Sequence, residues 1–322
     1  MKRNISFLFV LLLLLCSCTS EQKESSIVNF FSMKDCRPPQ LMEVYCYEPC
    51  AAQLMFDEEV FIEDEWFSDC SVTVSGQTVS VEFGYELTPD MFFEIDGKVC
   101  DRYGNSTSFC VNVWGFNPSP VSALINEVTT KSSDTQPERT ELLITGRGDL
   151  AGLTVYDGIP EDRKQSVILP SVKLSGGDYV VIYWAERLPG TDEDMLITIN
   201  EEGHTVVSIC SGNKTGLSDD NGIITLASSP SQGAEVLDCF IYSSFESTKY
   251  EGFGTKAVYE RVLKAKENDW WLTQAVNSSK STATRSMSRR LTEDTDTYTD
   301  WYTTVSRGQS FGKRNMSAEY SE

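Results

Sequence analysis

The sequence predicts an all-β protein: two β-sandwich domains in tandem, with one amphipathic helix inserted in the second. Three observations carry this expectation. Short runs alternating apolar and polar residues recur along the chain, separated by Gly, Asp, Asn and Pro turn signals. One segment, Thr255 to Glu267, switches to helical spacing. The 322 residues, less an amino-terminal export signal, suffice for two separate cores.

At the amino terminus, Lys2 and Arg3 precede an apolar core from Ile5 to Leu15, which closes on Leu15-Cys16-Ser17-Cys18. That core is too short to span a bilayer, so residues 1–17 read as a cleaved signal. The Leu-x-Ser-Cys ending resembles the processing site of bacterial lipoproteins. The resemblance implies acylation of Cys18 by palmitate-like chains and residence in the cell envelope, at the outer membrane or cell surface. Residues 18–26 are charged and small, as a tether requires. A net charge of -21 opposes binding to nucleic acid or to a bare anionic membrane, so attachment must come from lipid. The expected partner is a protein or a glycan, with no nucleic acid and no cofactor.

The first domain is expected over residues 27–117. Ser71 to Ser75 and Thr78 to Phe83 alternate around Gly76-Gln77, which predicts a two-residue hairpin with Gly in the first turn position. A second hairpin is expected around Tyr103-Gly104-Asn105, with Ile95, Val99, Phe109, Val111 and Val113 forming its apolar face. Setting aside Cys16 and Cys18, eight cysteines remain, and an even count in an exported chain predicts disulfides. Cys100 and Cys110 share the polar face of the second hairpin and are expected to bond across it. Cys36, Cys46, Cys50 and Cys70 can then pair in three ways, while Cys210 and Cys239 belong to the second domain. Leu87-Thr88-Pro89-Asp90 followed by Glu94 to Asn105, with its Gly97-Lys98-Val99-Cys100-Asp101 core, resembles the ending of bacterial Ig-like domains of the surface-layer type. That likeness implies a small antiparallel sandwich.

Asn117-Pro118-Ser119-Pro120 breaks any strand and marks the boundary. Beyond it, residues 121–316 resemble the lamin-tail domain in its bacterial form, with a tail at 317–322. The likeness rests on an ordered series: Ala123-Leu124-Ile125-Asn126-Glu127-Val128, Thr140-Glu141-Leu142, Asp149 to Gly158, Leu174 to Ile182, Gly222 to Leu226, Glu235 to Tyr242, Arg285-Ser286-Met287-Ser288-Arg289, Asp300-Trp301 and Gly312-Lys313-Arg314-Asn315. Leu153 stands where that family usually has Trp, and Phe311 where it has Pro. The likeness implies an Ig-like sandwich with no catalytic residues. Between these strands, Val258, Val262 and Leu263 stand at helical spacing, predicting a helix that packs on the sandwich beside Trp270 and Trp271. The combination resembles lipoproteins of spirochaetes.

Few residues offer chemistry. His204 is the only histidine, and Glu201-Glu202-Gly203-His204 reads as a turn, which leaves no triad and no typical zinc site. Asp57-Glu58-Glu59 and Glu63-Asp64-Glu65 would need a deep cleft to act as paired carboxylates. Asp219, Asp220 and Asn221 form an oxygen-rich turn that is a candidate calcium site. Arg147-Gly148-Asp149 spells a tripeptide that integrins bind. The reading that results is a non-enzymatic binding, adhesive or scaffolding lipoprotein; the alternative is an envelope hydrolase, or an accessory module of one, using acidic residues or a bound metal.

Overall fold

A computed structural model describes residues 35–62, 70–133, 135–291, 294–315 and 318–321. The signal, Cys18, the tether and Glu63-Asp64-Glu65 lie outside the described residues. With 44% of residues in strands and 7% helical, the protein is all-β with one helical insertion.

The amino-terminal unit contains β1 (Leu41–Glu48), β2 (Ala51–Phe56), β3 (Phe61–Ile62), β4 (Cys70–Ser75), β5 (Thr78–Phe83), β6 (Phe92–Cys100) and β7 (Ser106–Trp114). They form two sheets, ordered β1-β2-β5-β4 and β3-β6-β7. Between them lies an apolar cluster that includes Leu54, Val79, Val81, Ile95, Val99 and Val113. Alternation produces this layering, because a period of two sends every second side chain to the same face. The predicted turn at Gly76-Gln77 is present: Ser75 pairs with Thr78, and Gly76 takes a φ of 60°. The second hairpin is also present, turned by Asp101, whose carboxylate accepts from the backbone N–H groups of Tyr103 and Asn105 and from the Asn105 amide.

Its register overturns the expected Cys100–Cys110 bond. Cys100 pairs with Ser106 and Cys110 with Asp96, so the two cysteines share a face but stand four residues apart along the ladder. That offset is about 13 Å, beyond the roughly 7 Å that a disulfide tolerates between Cα atoms. The pair lies at unequal distances from the turn's centre at Tyr103, which is why sharing a face did not bring the sulfurs together. In the second unit, Cys210 and Cys239 lie on strands of different sheets.

The carboxy-terminal unit holds β8 (Ala123–Thr129), β9 (Arg139–Ile144), β10 (Gly148–Asp149), β11 (Thr154–Ile159), β12 (Asp162–Ile168), β13 (Lys173–Leu174) and β14 (Tyr179–Tyr183). There follow β15 (Met195–Ile199), β16 (Thr205–Cys210), β17 (Asn221–Ala227), β18 (Val236–Ser243), β19 (Val276–Asn277), β20 (Met287–Arg289) and β21 (Trp301–Thr303). A seven-stranded sheet, β15-β16-β14-β9-β8-β20-β21, faces a five-stranded one, β12-β11-β17-β18-β19. The core includes Ile125, Leu142, Val180 and Trp184 from the first sheet, with Val155, Leu226 and Phe240 from the second.

Helix α1 (Lys256–Glu267) begins where the sequence places it, with the Thr255 side chain accepting from the Val258 N–H. It packs on β11 and β17, which explains why every residue of β11 is buried: one face meets the core and the other the helix. Val258 and Val262 face inward as expected. Leu263 does not; Arg261 and Ala265 complete the buried stripe, and Arg261 pairs with Asp162 at 2.7 Å. No helix among the described residues is long and apolar enough to cross a membrane.

Candidate functional site

The site begins with the connection between the units. Asn117 donates its amide to the backbone oxygens of Asp149 and Ala151, and the Val121 N–H bonds to Asp149, so the linker is held to the second unit. Gly115 leaves no room for a Cβ, which would meet the Thr88 oxygen at 2.1 Å. From the other side, the loop after β17 lies along the edge of β1: the Val44 N–H donates to Gln232 O at 2.9 Å, and Gln232 Nε2 donates to Leu41 O.

Between these two contacts lies a cleft of about 710 Å³. Tyr45 and Trp114 enter it from the first unit, Phe116 from the linker, and Leu153, Leu237 and Glu235 from the second, with hydroxyls from Ser228, Ser229 and Ser231. Phe92 braces Trp114 with ring centres 5.0 Å apart, and Gln53 holds the Tyr45 hydroxyl at 2.6 Å. A second hollow of about 500 Å³ shares Trp114, Pro230 and Ser231, so these residues form a wall between two chambers. Among the described residues the larger cleft is lined by no lysine or arginine and by a single carboxylate, Glu235, which suits a neutral ligand with an apolar face and a few hydroxyl or amide groups. Sequence reasoning did not find it, because its walls come from segments far apart in the chain.

A second constellation also went unrecognised. A β-bulge at Asn126 sets Glu127 opposite Glu141, and both are fully buried on the outer face of the seven-stranded sheet. A strap near the carboxy terminus covers them. Ser310 donates its N–H and hydroxyl to Glu127, Ser286 adds a hydroxyl, and the Gly312 N–H donates to Glu141. Asn126 and Asn315 bond to each other and to this network, while Phe311 packs with Tyr179, Val181 and Val206. Burial raises both carboxyls above their usual range, Glu141 the more strongly because the Glu127 charge adds to it; bonds from Ser286 and Ser310 work against the rise at Glu127. The signal present in the sequence was a glutamate beside the apolar residues of each of two strands, Leu124, Ile125 and Val128 in one and Leu142, Leu143 and Ile144 in the other.

The structure places the other sequence candidates apart. In Arg147-Gly148-Asp149, Arg147 is exposed, but Gly148 lies against the Ser119-Pro120 backbone and Asp149 is occupied by the Ala151 N–H and the Ser171 hydroxyl. The tripeptide is therefore part of the junction between units, not the tip of a loop. Of the calcium candidates, Asn221 accepts from Ser243 and Ser244 through its side-chain oxygen, Asp220 pairs with Lys131 at 3.3 Å, and the backbone oxygen of Asp219 accepts from Thr130. Acidic groups converge instead at Asp35-Glu58-Asp101 and at Asp238-Asp294-Asp296, the latter around the buried Arg289. Burial pushes the Asp238 carboxyl up to about 6 even against the attraction of Arg289. Cys46, whose thiol burial pushes up to about 12, lines the cleft. His204 sits at the β15–β16 turn, its ring edge-on to Tyr179.

Residues 121–303 match the model of a domain family, TP_1001_2nd, described as a protein second domain. The chain belongs to that family. No curated protein and no solved structure matches this chain. The matched span covers more than half the sequence and contains both sheets of the second unit and helix α1, while the cleft draws a third of its lining residues from outside it.

Proposed function

We propose that this protein is a lipid-anchored envelope lipoprotein whose two β-sandwich domains, residues 27–117 and 121–316, bind another molecule without transforming it. The cleft between the units carries the binding reading, since aromatic rings and hydroxyls from both converge there in a hollow of ligand size. The anchor rests on Lys2, Arg3 and the Leu15-Cys16-Ser17-Cys18 ending, with acyl groups on Cys18. In the finer reading, residues 121–316 are a lamin-tail domain; Glu127, Glu141 and Asn315, each part of the motifs behind that likeness, belong to one buried network.

The alternative, a hydrolase, needs paired carboxylates open to substrate; the Glu127–Glu141 pair, closed off under the strap, does not meet that need, which leaves to it acidic clusters such as Asp35-Glu58-Asp101.

The test is native mass spectrometry of protein purified from envelopes, alongside Trp114→Ala. A non-covalent ligand on the wild type, reduced about tenfold on the variant, is expected. Native protein that carries no ligand and whose fluorescence is unmoved by neutral glycans or amphiphiles would refute the cleft. Palmitate labelling that persists in Cys18→Ser would refute the anchor.

A further inference from the structure

Strand β15 is an edge that exposes large apolar side chains. It is the last strand of the seven-stranded sheet and, among the described residues, pairs only with β16. Every residue in it is exposed, including Met195 at 38%, Leu196 at 46%, Ile197 at 48% and Ile199 at 64%. Three other edges are charged or covered: β12 carries Asp162, Arg163 and Lys164, β1 is met by Gln232, and β21 is followed by a bridge from Thr304 to Glu319. The edges β4 and β7 are uncharged, but the residues they expose are Ser, Thr, Cys and Asn rather than large apolar side chains. β15 has neither a charged residue nor a proline within it.

The register shows which backbone groups are open. Asn200 donates to His204 and Cys210 donates to Asp194, so the even-numbered residues of this strand bond toward β16. In an antiparallel ladder the alternate residues then point away, which turns the N–H and C=O groups of Met195, Ile197 and Ile199 outward. Their side chains share a face with Val207 and Ile209, the side that meets the core, yet the opposing sheet does not extend over them. An open hydrogen-bonding row thus adjoins an uncovered apolar ledge.

Charge decides what fits there. Asp192, Glu193 and Asp194 precede the strand, and Glu201 and Glu202 follow it, all exposed. In a second copy paired antiparallel about Ile197, Glu193 would oppose Glu201 and Asp192 would oppose Glu202, like charges in direct register. A strand with basic ends meets the opposite situation at both flanks. We propose that β15 is a docking edge for an extended peptide segment of a partner protein, with apolar residues at three alternate positions and lysine or arginine at each end. This proposal is independent of the interdomain cleft, which lies elsewhere on the domain.

The experiment uses the full-length protein in detergent and a labelled peptide, Lys-Arg-Lys-Val-Thr-Val-Thr-Val-Lys-Arg-Lys, read by fluorescence anisotropy. Saturable binding is expected, at least about tenfold weaker for the counterpart peptide with glutamate at the six basic positions, and weakened by salt. Ile197→Pro removes an outward N–H without touching the β16 ladder, and should weaken binding about tenfold with an unchanged melting curve. Ile197→Lys serves as a second block that leaves the backbone intact. No binding, equal binding of the two peptides, or binding unaffected by both folded variants would overturn the proposal. So would a concentration-dependent dimer, in sedimentation, that either variant abolishes, since the occupant would then be a second copy.

Discussion

In the amino-terminal unit the sheets meet through apolar side chains around Leu54, Val81 and Ile95, and Asp101 in a turn is its one buried charged residue among those described. The carboxy-terminal unit buries a larger apolar core and, with it, Asn126, Glu127, Glu141, Asp238, Arg289, Asp300 and Asn315. The difference follows from what each must hold. Two small sheets need only non-directional burial, whereas the second unit must fix long irregular segments, such as the strap over Glu127, at defined places on a sheet. Directional bonds specify position, and their cost is that each polar group depends on its partner.

The largest effect should come from breaking that dependence. Arg289 donates to both oxygens of Asp238, to Asp294 and to the Ile125 oxygen, and is almost wholly buried. Asp238→Ala leaves a guanidinium in the core without its main counter-charge and should destabilise the protein by about 3–5 kcal/mol in urea titration. Adding Arg289→Met should recover most of the loss; if the double variant is as unstable as the single one, what was lost is packing and not the pairing of a charge.

Leu54→Ala probes the other unit. Leu54 is fully buried, so the cavity should cost about 2–5 kcal/mol. Because the units have separate cores, limited proteolysis should cut the amino-terminal unit first in this variant, and the carboxy-terminal unit first in Asp238→Ala. Identical cleavage order in both would mean that the two units unfold as one.

How much of this was readable depends on range. The Gly76-Gln77 hairpin and helix α1 were legible because a turn pair or a spacing of three and four residues settles them locally. Leu263 was misplaced since spacing alone does not say which flank of a helical stripe meets the sheet. The cysteines showed the same limit one step further out: face was legible from alternation, register was not. The cleft and the Glu127–Glu141 pair rest on contacts over great sequence distance, such as Ser310 to Glu127, and no local pattern encodes them. Two glutamates beside apolar residues in β8 and β9 were visible, but the strap explains why they are tolerated in burial.

That strap gives a pH test of moderate size. Both carboxyls are raised in the folded state, so their contribution is fully present at acid pH and is lost as pH climbs from the ordinary glutamate value of 4.5 through the raised folded values. Glu127→Gln removes one ionisable member while the neighbouring Ser286 and Ser310 hydroxyls can turn to suit an amide. The variant should match the wild type near pH 5 and melt higher near pH 8, by about 2–4 °C if the relief is of the order of 1 kcal/mol. A difference that is the same at both pH values would show that packing, not ionisation, sets the effect.

The smallest effect concerns an element that, among the described residues, belongs to the second unit alone. Thr255 accepts the Val258 N–H at the start of α1, satisfying one of the donors left open at a helix end. Thr255→Ala should cost about 1 kcal/mol, and Thr255→Ser little, because a hydroxyl at that position is what the cap requires. The loss should appear in the carboxy-terminal unit alone, since α1 covers β11 and β17. If Thr255→Ala instead lowered the stability of both units equally, the cores would be coupled through the cleft, and the separation drawn between them would hold for their packing but not for their unfolding.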